Sequence, residues 1–194
     1  MPVLQTERLR IRPFMRGDLE TIHTILDVEL SNAEMGNEGA QSYEARRRWL
    51  DWAISNEEQL AMLYQPPYGD RAVVRKEDGL LIGACGFTPA FGPFGQLWST
   101  GEDVPTRAAF APEFGLFWAI SPSVQRQGYA SEAAQAMLDY AFSALHLQRV
   151  VATTTYDNAA SIGVMERLGM RILHNPLPDP PWFQIVGVRE GRLP

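Results

Sequence analysis

The sequence predicts a single α/β domain, and three features of the chain lead to that prediction. Residues 114–155 have the pattern of a strand, a helix and a second strand, which favours two parallel strands joined by a helix. Residues 71–87 predict an antiparallel hairpin, because two strand-like runs flank the turn Glu77-Asp78-Gly79. The chain has 194 residues and 45% hydrophobic content, which is sufficient for one core of ordinary size.

In the first half of the chain, two helices are expected between the first strand and the hairpin. Asp18 is a good cap for a helix whose apolar positions include Ile22, Ile25 and Leu26. Residues 36–40 interrupt that pattern, and a second helix is predicted over about residues 42–60. Its apolar side would carry Trp49, Trp52 and Ala53, whereas Arg46-Arg47-Arg48 is interpreted as a solvated face rather than a ligand site.

The second half has the clearest pattern. An apolar strand over residues 114–120 ends before Pro122, and a polar loop over residues 125–130 leads into a helix with Ala134, Met137, Leu138 and Ala141 on one stripe. A β-branched strand over residues 150–155 follows. Asn158 and Ser161 then open a further helix, which Gly169 is expected to end.

The loop Gln125-Arg126-Gln127-Gly128-Tyr129-Ala130 is a candidate anion site. Several backbone N–H groups are unpaired where a helix begins, and the helix dipole favours negative charge there. Gly128 has no side chain that would keep a pyrophosphate away from the backbone. The loop alone is a weak signal, so its position between a strand and a helix carries the interpretation.

These residues resemble the GNAT superfamily of acyl-CoA-dependent N-acyltransferases. The loop and the segment from Asn158 to Met170 carry the resemblance, which is greatest to the subgroup containing the ribosomal-protein N-terminal acetyltransferases. Residues 6–14 and 81–87 are similar to that subgroup's first and third strands. The resemblance implies a mixed, mostly antiparallel sheet with a central splayed parallel strand pair and helices on both faces. Residues 88–112 would then be an insertion between strands 3 and 4.

The resemblance also implies acetyl-CoA as co-substrate. The loop would hold its pyrophosphate, the strand near Trp118 would pair with its pantetheine arm, and a strand N–H near Ala119 or Ile120 would polarise the thioester carbonyl. Asn158 would anchor the arm from the opposite side. The residues expected to bind the cofactor are Trp118, Ala119, Ile120, Gln125, Arg126, Gln127, Gly128, Tyr129, Ala130, Ser131, Asn158 and Ser161.

Two residues are candidates for the proton steps. Ser161 matches the position that some family members use as the acid toward the leaving sulfur, with helix capping as its alternative role. Glu113 is the candidate base, although many relatives carry a glutamate two residues further along, where this chain has Gly115. Glu113 could equally be a strand-end charge, with water accepting the proton. By resemblance, Asp179 and Trp182 are candidates for contact with the acceptor.

Composition limits the partners. The net charge of −6 argues against a nucleic-acid surface and mildly favours cationic substrates such as amines. Cys85 is the only cysteine and is expected to be buried, and the three histidines lack the spacing of a metal site, so no metal is expected. No signal peptide or transmembrane run appears, which leaves the cytoplasm as the expected location and no membrane partner.

Several alternatives stay open at this point. The amine could be a protein N-terminus or a small molecule, and the chain could be a monomer or a homodimer. A non-catalytic acyl-CoA sensor or scaffold is the alternative function, and a nucleotide is a less favoured ligand because the usual glycine-rich phosphate motifs are absent. The segment over residues 88–112 carries aromatic residues that could pack on the surface, line the acceptor pocket or contact a second copy.

Overall fold

The computed structural model describes residues 1–31, 39–94, 97 and 110–191. The described strands form one sheet with the order β1-β2-β3-β4-β5-β6-β8-β7, in which only β5 and β6 are parallel neighbours. The strands are β1 (Leu4–Gln5), β2 (Leu9–Arg12), β3 (Gly69–Arg75), β4 (Leu81–Gly92), β5 (Ala111–Ile120), β6 (Arg149–Thr154), β7 (Arg171–His174) and β8 (Ile185–Glu190).

Helices cover both faces of this sheet. They are α1 (Leu19–His23), which continues as a π-helix over Thr24–Glu29, α2 (Tyr43–Met62), α3 (Tyr129–Ser143) and α4 (Ala159–Arg167). Met137 of α3 and Met165 of α4 are fully buried in a core cluster with Leu116 and Ile120 of β5. On the other face, Ala119 packs in a cluster with residues of α1 and α2. The mixed sheet, the parallel pair and the helices on both faces confirm the fold class predicted from the sequence.

The parallel pair opens toward its carboxyl end. Gly115 and Val151 are the only residues registered between β5 and β6, although β5 continues to Ile120 and β6 to Thr154. Beyond Gly115, β5 therefore keeps its hydrogen bonds to β4 on one side and presents a free backbone edge on the other. This gap between two strands is the feature that positions the candidate site.

The interpretation of the basic run on α2 is wrong for its first residue. Arg46 is buried, and its Nε and Nη2 atoms donate to the two carboxylate oxygens of the buried Asp27 at 2.7 and 2.9 Å. Arg47 is exposed, as expected. Trp52, which was expected on the apolar side of α2, is 54% exposed, and Leu50 takes the buried position instead.

The insertion expected over residues 88–112 lies between β4 and β5 of the structure, and it is shorter than the sequence indicates. Residues 88–92 of β4 pair with residues 111–115 of β5 in continuous register, so the ends of the expected segment are strand. Of the aromatic residues noted there, Phe94 is buried and Phe91 is exposed, while Trp98 lies outside the described residues.

The start of α1 also differs from the expectation. Asp18 does not cap α1 with its side chain; its carboxylate accepts the Met15 N–H at 2.8 Å and forms a bidentate pair with Arg12. His174 lies in β7, and His146 follows α3 with a φ of 52°. Within the described residues, no helix is both long and apolar enough to cross a membrane.

Candidate active site

A cavity of about 1380 Å³ lies where β5 and β6 separate. Its walls are the carboxyl ends of these strands, the loop before α3, the first turns of α3 and α4, and side chains on the opposite face of the sheet. The residues that the sequence assigned to the cofactor all line it: Trp118, Ala119, Ile120, Gln125, Arg126, Gln127, Gly128, Tyr129, Ala130, Ser131, Asn158 and Ser161. The charged side chains among its described lining residues are Arg126 and Arg167, which suits an anionic ligand.

The loop before α3 forms a concave set of backbone donors. Arg126 has φ 60° and Gly128 has φ 85°, and such alternation of left-handed residues turns successive N–H groups toward one point. Within the described part of the chain, the N–H groups of residues 126–131 have no hydrogen-bond acceptor, and the first backbone bond of α3 runs from Glu132 to Gly128 at 3.0 Å. These donors are available to a bound anion.

Two further observations fit a pyrophosphate at this loop. The hydroxyl oxygen of Ser131 is buried and lacks a partner among the described residues, so it too is available to a ligand. Gly128 adopts a φ of 85° that a side chain would strain, so a glycine at this position lets the loop keep its concave shape. The residues present therefore fit the phosphates of coenzyme A.

The free edge of β5 offers donors inside the gap. Ser121 donates its N–H to Ile82 O at 2.9 Å, so that group points toward β4. Because backbone groups alternate in direction along a strand, the N–H groups of Ile120 and Trp118 point into the gap. A Cβ on Gly83 would lie 2.1 Å from the Ala119 carbonyl oxygen, which places the polar groups of Ala119 on the β4 side. Of the two expected oxyanion donors, Ile120 is thus the one that faces the gap.

Ser161 and Asn158 lie together at the start of α4. Asn158 Oδ1 accepts the Ser161 N–H at 3.0 Å and so caps the helix. The Ser161 hydroxyl and the Asn158 amide nitrogen have no hydrogen-bond partner among the described residues, and both residues line the cavity. Capping is performed by Asn158, which leaves the Ser161 hydroxyl free for another role.

Glu113 lies outside the cavity, contrary to its proposed place in the site. It forms a bidentate ion pair with Arg149 on β6, with 3.0 Å between Oε2 and Nε, and this pair lines a separate depression beside Tyr68 and Gln148. The hydrogen bonds from Arg149 to Glu113 raise the pKa of Arg149. The geometry therefore makes Glu113 a charge at the start of β5, its alternative role in the sequence interpretation.

Position 115, where many relatives carry a glutamate, has no room for a carboxylate side chain in this structure. A Cβ at this position would lie 2.7 Å from Thr88 Oγ1 and 2.8 Å from Thr88 O, because β4 approaches closely. Thr88 itself lines the cavity, and the sequence pattern did not single it out. Alternation along β4 places Thr88 on the same face as Ala90, but nothing in the sequence indicated that this face meets the cavity.

The opposite face of the sheet contributes an apolar end to the cavity, formed by Leu30, Ala90, Phe117 and Trp182. Trp182, a candidate for contact with the acceptor, lines this end of the cavity. Asp179 is exposed and does not line the cavity, so the structure does not bring it to the site.

Hydrogen bonds hold the connection that carries Trp182. Gln184 accepts the Tyr156 N–H at 2.8 Å and donates to Pro178 O at 2.9 Å, and the Tyr156 hydroxyl donates to Asn175 O. The connection between β7 and β8 is therefore fixed to the end of β6.

Metal ligands and the single cysteine are the other groups to consider. Among the described residues, no three His, Cys, Asp or Glu side chains are grouped as metal ligands. Cys85 is buried as expected, and burial raises the pKa of its thiol, which disfavours the reactive thiolate.

Comparison with known proteins identifies the family. A family model described as an acetyltransferase (GNAT) domain matches residues 8–171. YnaD of Bacillus subtilis strain 168, described as an uncharacterized N-acetyltransferase, is 30% identical over 128 residues, or 64% of this chain. The alignment spans 65% of YnaD, slightly less than two-thirds of that relative's length.

Solved structures have the same fold. The acetyltransferase from Agrobacterium tumefaciens strain C58 has a TM-score of 0.70 at 24% identity, covering 98% of this chain and 95% of that one. RimL, the ribosomal L7/L12 α-N-protein acetyltransferase in complex with coenzyme A, has a TM-score of 0.64 at 14% identity, covering 97% of each chain. At these identities the likeness establishes the fold, and the family model extends over most of the chain. The chain therefore belongs to the GNAT family of acetyltransferases.

Proposed function

We propose that this chain transfers an acetyl group from acetyl-CoA to a primary amine, by direct attack of the amine within a ternary complex. The amine is carried by a protein N-terminus or by a small molecule. The observation that carries the proposal is the cavity through the sheet, with unpaired backbone donors at one end and an apolar end on the other face. Two ligands can meet in such a cavity from opposite sides.

The donor side has a residue for each binding task. The N–H groups of residues 127–130 would hold the pyrophosphate, with added charge from Arg126 and a further donor in the Ser131 hydroxyl. The free edge of β5 would pair with the peptide-like pantetheine arm. Acetyl-CoA supplies an activated thioester, and the Ile120 N–H would stabilise the negative charge that develops on its carbonyl oxygen. RimL, a protein of the same fold, was solved with coenzyme A, which supports this choice of ligand.

Proton transfer would fall to Ser161 and to water. The Ser161 hydroxyl lines the cavity without a partner among the described residues, so it can donate a proton to the leaving sulfur while water returns a proton to the serine oxygen. The described lining residues offer no carboxylate as base. The pKa of an α-amine is about 7.7–8.0 and that of a lysine amine is about 10.4, so an α-amine loses its proton with much less help from a base.

A non-catalytic acyl-CoA sensor is the second candidate. The ion pair that holds Glu113 and the lack of room at Gly115 favour it, because both deprive the site of a carboxylate base. Product formation with any amine would exclude it.

The direct test is a screen of acetyl-CoA consumption against amines, amino acids, polyamines and peptides with different N-terminal residues. Thiol release identifies active pairs, and mass spectrometry confirms the acetylated product. We expect at least one amine to be acetylated, with loss of turnover in Gly128→Val. Tight acetyl-CoA binding without a product from any class would support the sensor.

A further inference from the structure

Arg8 precedes β2 and lies beside the anion-binding loop, although it is far from that loop in sequence. We propose that Arg8 is a positioning residue that aims the Gly128 N–H at the bound pyrophosphate and neutralises Glu132 next to it. The inference rests on the proposed function, since it concerns the loop that would hold acetyl-CoA. Arg8 does not line the cavity, so it acts through the residues that it contacts.

The first part of the argument concerns the peptide bond between Gln127 and Gly128. Arg8 Nη1 donates to the Gln127 carbonyl oxygen at 2.9 Å. Because a trans peptide is planar, its carbonyl and its N–H point in opposite directions. A carbonyl held toward Arg8 therefore directs the Gly128 N–H away from Arg8, into the concave side of the loop that borders the cavity.

The second part concerns the charge of Glu132, in the first turn of α3. A carboxylate there interacts favourably with the helix dipole, but it repels an anion bound at the same helix end. Arg8 Nε donates to Glu132 Oε2 at 2.6 Å, and the Arg8 backbone N–H donates to Oε1 at 2.9 Å. Thr6 adds a hydroxyl hydrogen bond to Oε1 at 2.5 Å. The carboxylate is thus neutralised and fixed.

A third contact joins Arg8 to the first residue of α3. The Arg8 guanidinium lies 4.5 Å from the centre of the Tyr129 ring. With the contacts to Gln127 and Glu132, it spans the loop and the first turn of the helix. Removal of Arg8 would free the Gln127–Gly128 peptide to rotate and leave Glu132 without its cation.

The test compares donors with and without a pyrophosphate. In Arg8→Ala we expect the KM for acetyl-CoA to rise by about 10-fold or more, as for the loss of a charge-assisted hydrogen bond, with little change in kcat. S-acetyl-pantetheine has no pyrophosphate, so its KM should match that of the wild type. Arg8→Lys keeps the positive charge but not the planar guanidinium, so it should raise the KM for acetyl-CoA less than Arg8→Ala does. Arg10→Ala, an exposed arginine on β2, is the matched control.

Calorimetry with coenzyme A and pantetheine repeats the comparison without an acceptor amine, so a failed search for an acceptor leaves this test intact. Equal weakening toward both ligands, or no weakening toward coenzyme A, would overturn the proposal. Glu132→Gln in the Arg8→Ala background should recover part of the affinity for coenzyme A, because it removes the unpaired charge. No recovery would overturn the electrostatic part.

Discussion

The side-chain amide of Gln125 donates a hydrogen bond of 2.8 Å to the carbonyl oxygen of Ile120. Gln125 opens the anion-binding loop, and Ile120 ends the free edge of β5. This bond therefore ties the loop that would hold the pyrophosphate to the strand that would hold the thioester. Its loss should affect both parts of the site together.

We expect Gln125→Ala to raise the KM for acetyl-CoA and to lower kcat, each by about 3-fold, so that kcat/KM falls by about 10-fold, as for the loss of one neutral hydrogen bond. Gln125→Glu should act in the same direction, because a carboxylate cannot donate to the Ile120 carbonyl. Steady-state kinetics measure both. Gln135→Ala, which removes an exposed hydrogen bond to Asp139 on α3, is the control. Wild-type constants in Gln125→Ala would contradict the coupling.

The substitution Ser161→Ala tests whether the Ser161 hydroxyl is the acid that protonates the leaving sulfur. If the hydroxyl protonates the leaving thiolate, kcat should fall by about 100-fold, because a positioned acid acts mainly in the transition state. Affinity for acetyl-CoA should be nearly intact, since Asn158 and not the Ser161 hydroxyl caps α4. Calorimetry and kinetics on the same protein separate the two effects. Weaker binding with an unchanged kcat would make Ser161 a binding residue.

For Glu113→Gln we expect the pH dependence of kcat/KM between pH 6 and 9 to keep its wild-type shape. Glu113 pairs with Arg149 outside the cavity, where it cannot reach an acceptor amine. Stability should fall, because the charged hydrogen bonds between Arg149 and the Glu113 carboxylate are weakened. Loss of the acidic limb of the profile would instead identify Glu113 as the base.

Asp70 makes stability depend on pH. One carboxylate oxygen is buried without a partner among the described residues, and burial raises the pKa of Asp70 to about 6. In the unfolded chain the pKa of an aspartate is about 3.9, so the folded state binds the proton of Asp70 more tightly. Stability should therefore decrease as the pH rises from about 4 to about 6, and stay reduced above that range.

Asp70→Asn should thus raise the free energy of unfolding by about 2 kcal/mol at pH 8, with little change at pH 4. Urea denaturation at the two pH values measures the difference. The exposed Glu58→Gln is a control for loss of one negative charge. An equal effect of Asp70→Asn at both pH values would show that titration is not the cause.

Local patterns predicted the parts of the site that depend on neighbouring residues. A glycine at position 128 of the anion-binding loop and Asn158 at the start of α4 follow from short-range rules, and the left-handed φ of Gly128 is a finding of the structure. Ion pairs between distant residues were not predictable in this way. Arg46 forms an ion pair with Asp27, 19 residues away in sequence, and Arg149 forms one with Glu113, 36 residues away. Arg8 and Glu132 are 124 residues apart, and only the packing of β2 against α3 brings them together.

The most direct test of the account is calorimetry of acetyl-CoA with the wild type and with Gly128→Val. We predict binding to the wild type, and weakening by about 2 kcal/mol in Gly128→Val through backbone strain at the left-handed φ of this residue. Gly79→Val is the matched control, because Gly79 has φ 73° in an open hairpin turn. It should lose stability and keep its affinity. Equal affinity of Gly128→Val and the wild type, or binding of NAD or ATP as tight as that of CoA, would contradict the assignment of this cavity to acetyl-CoA.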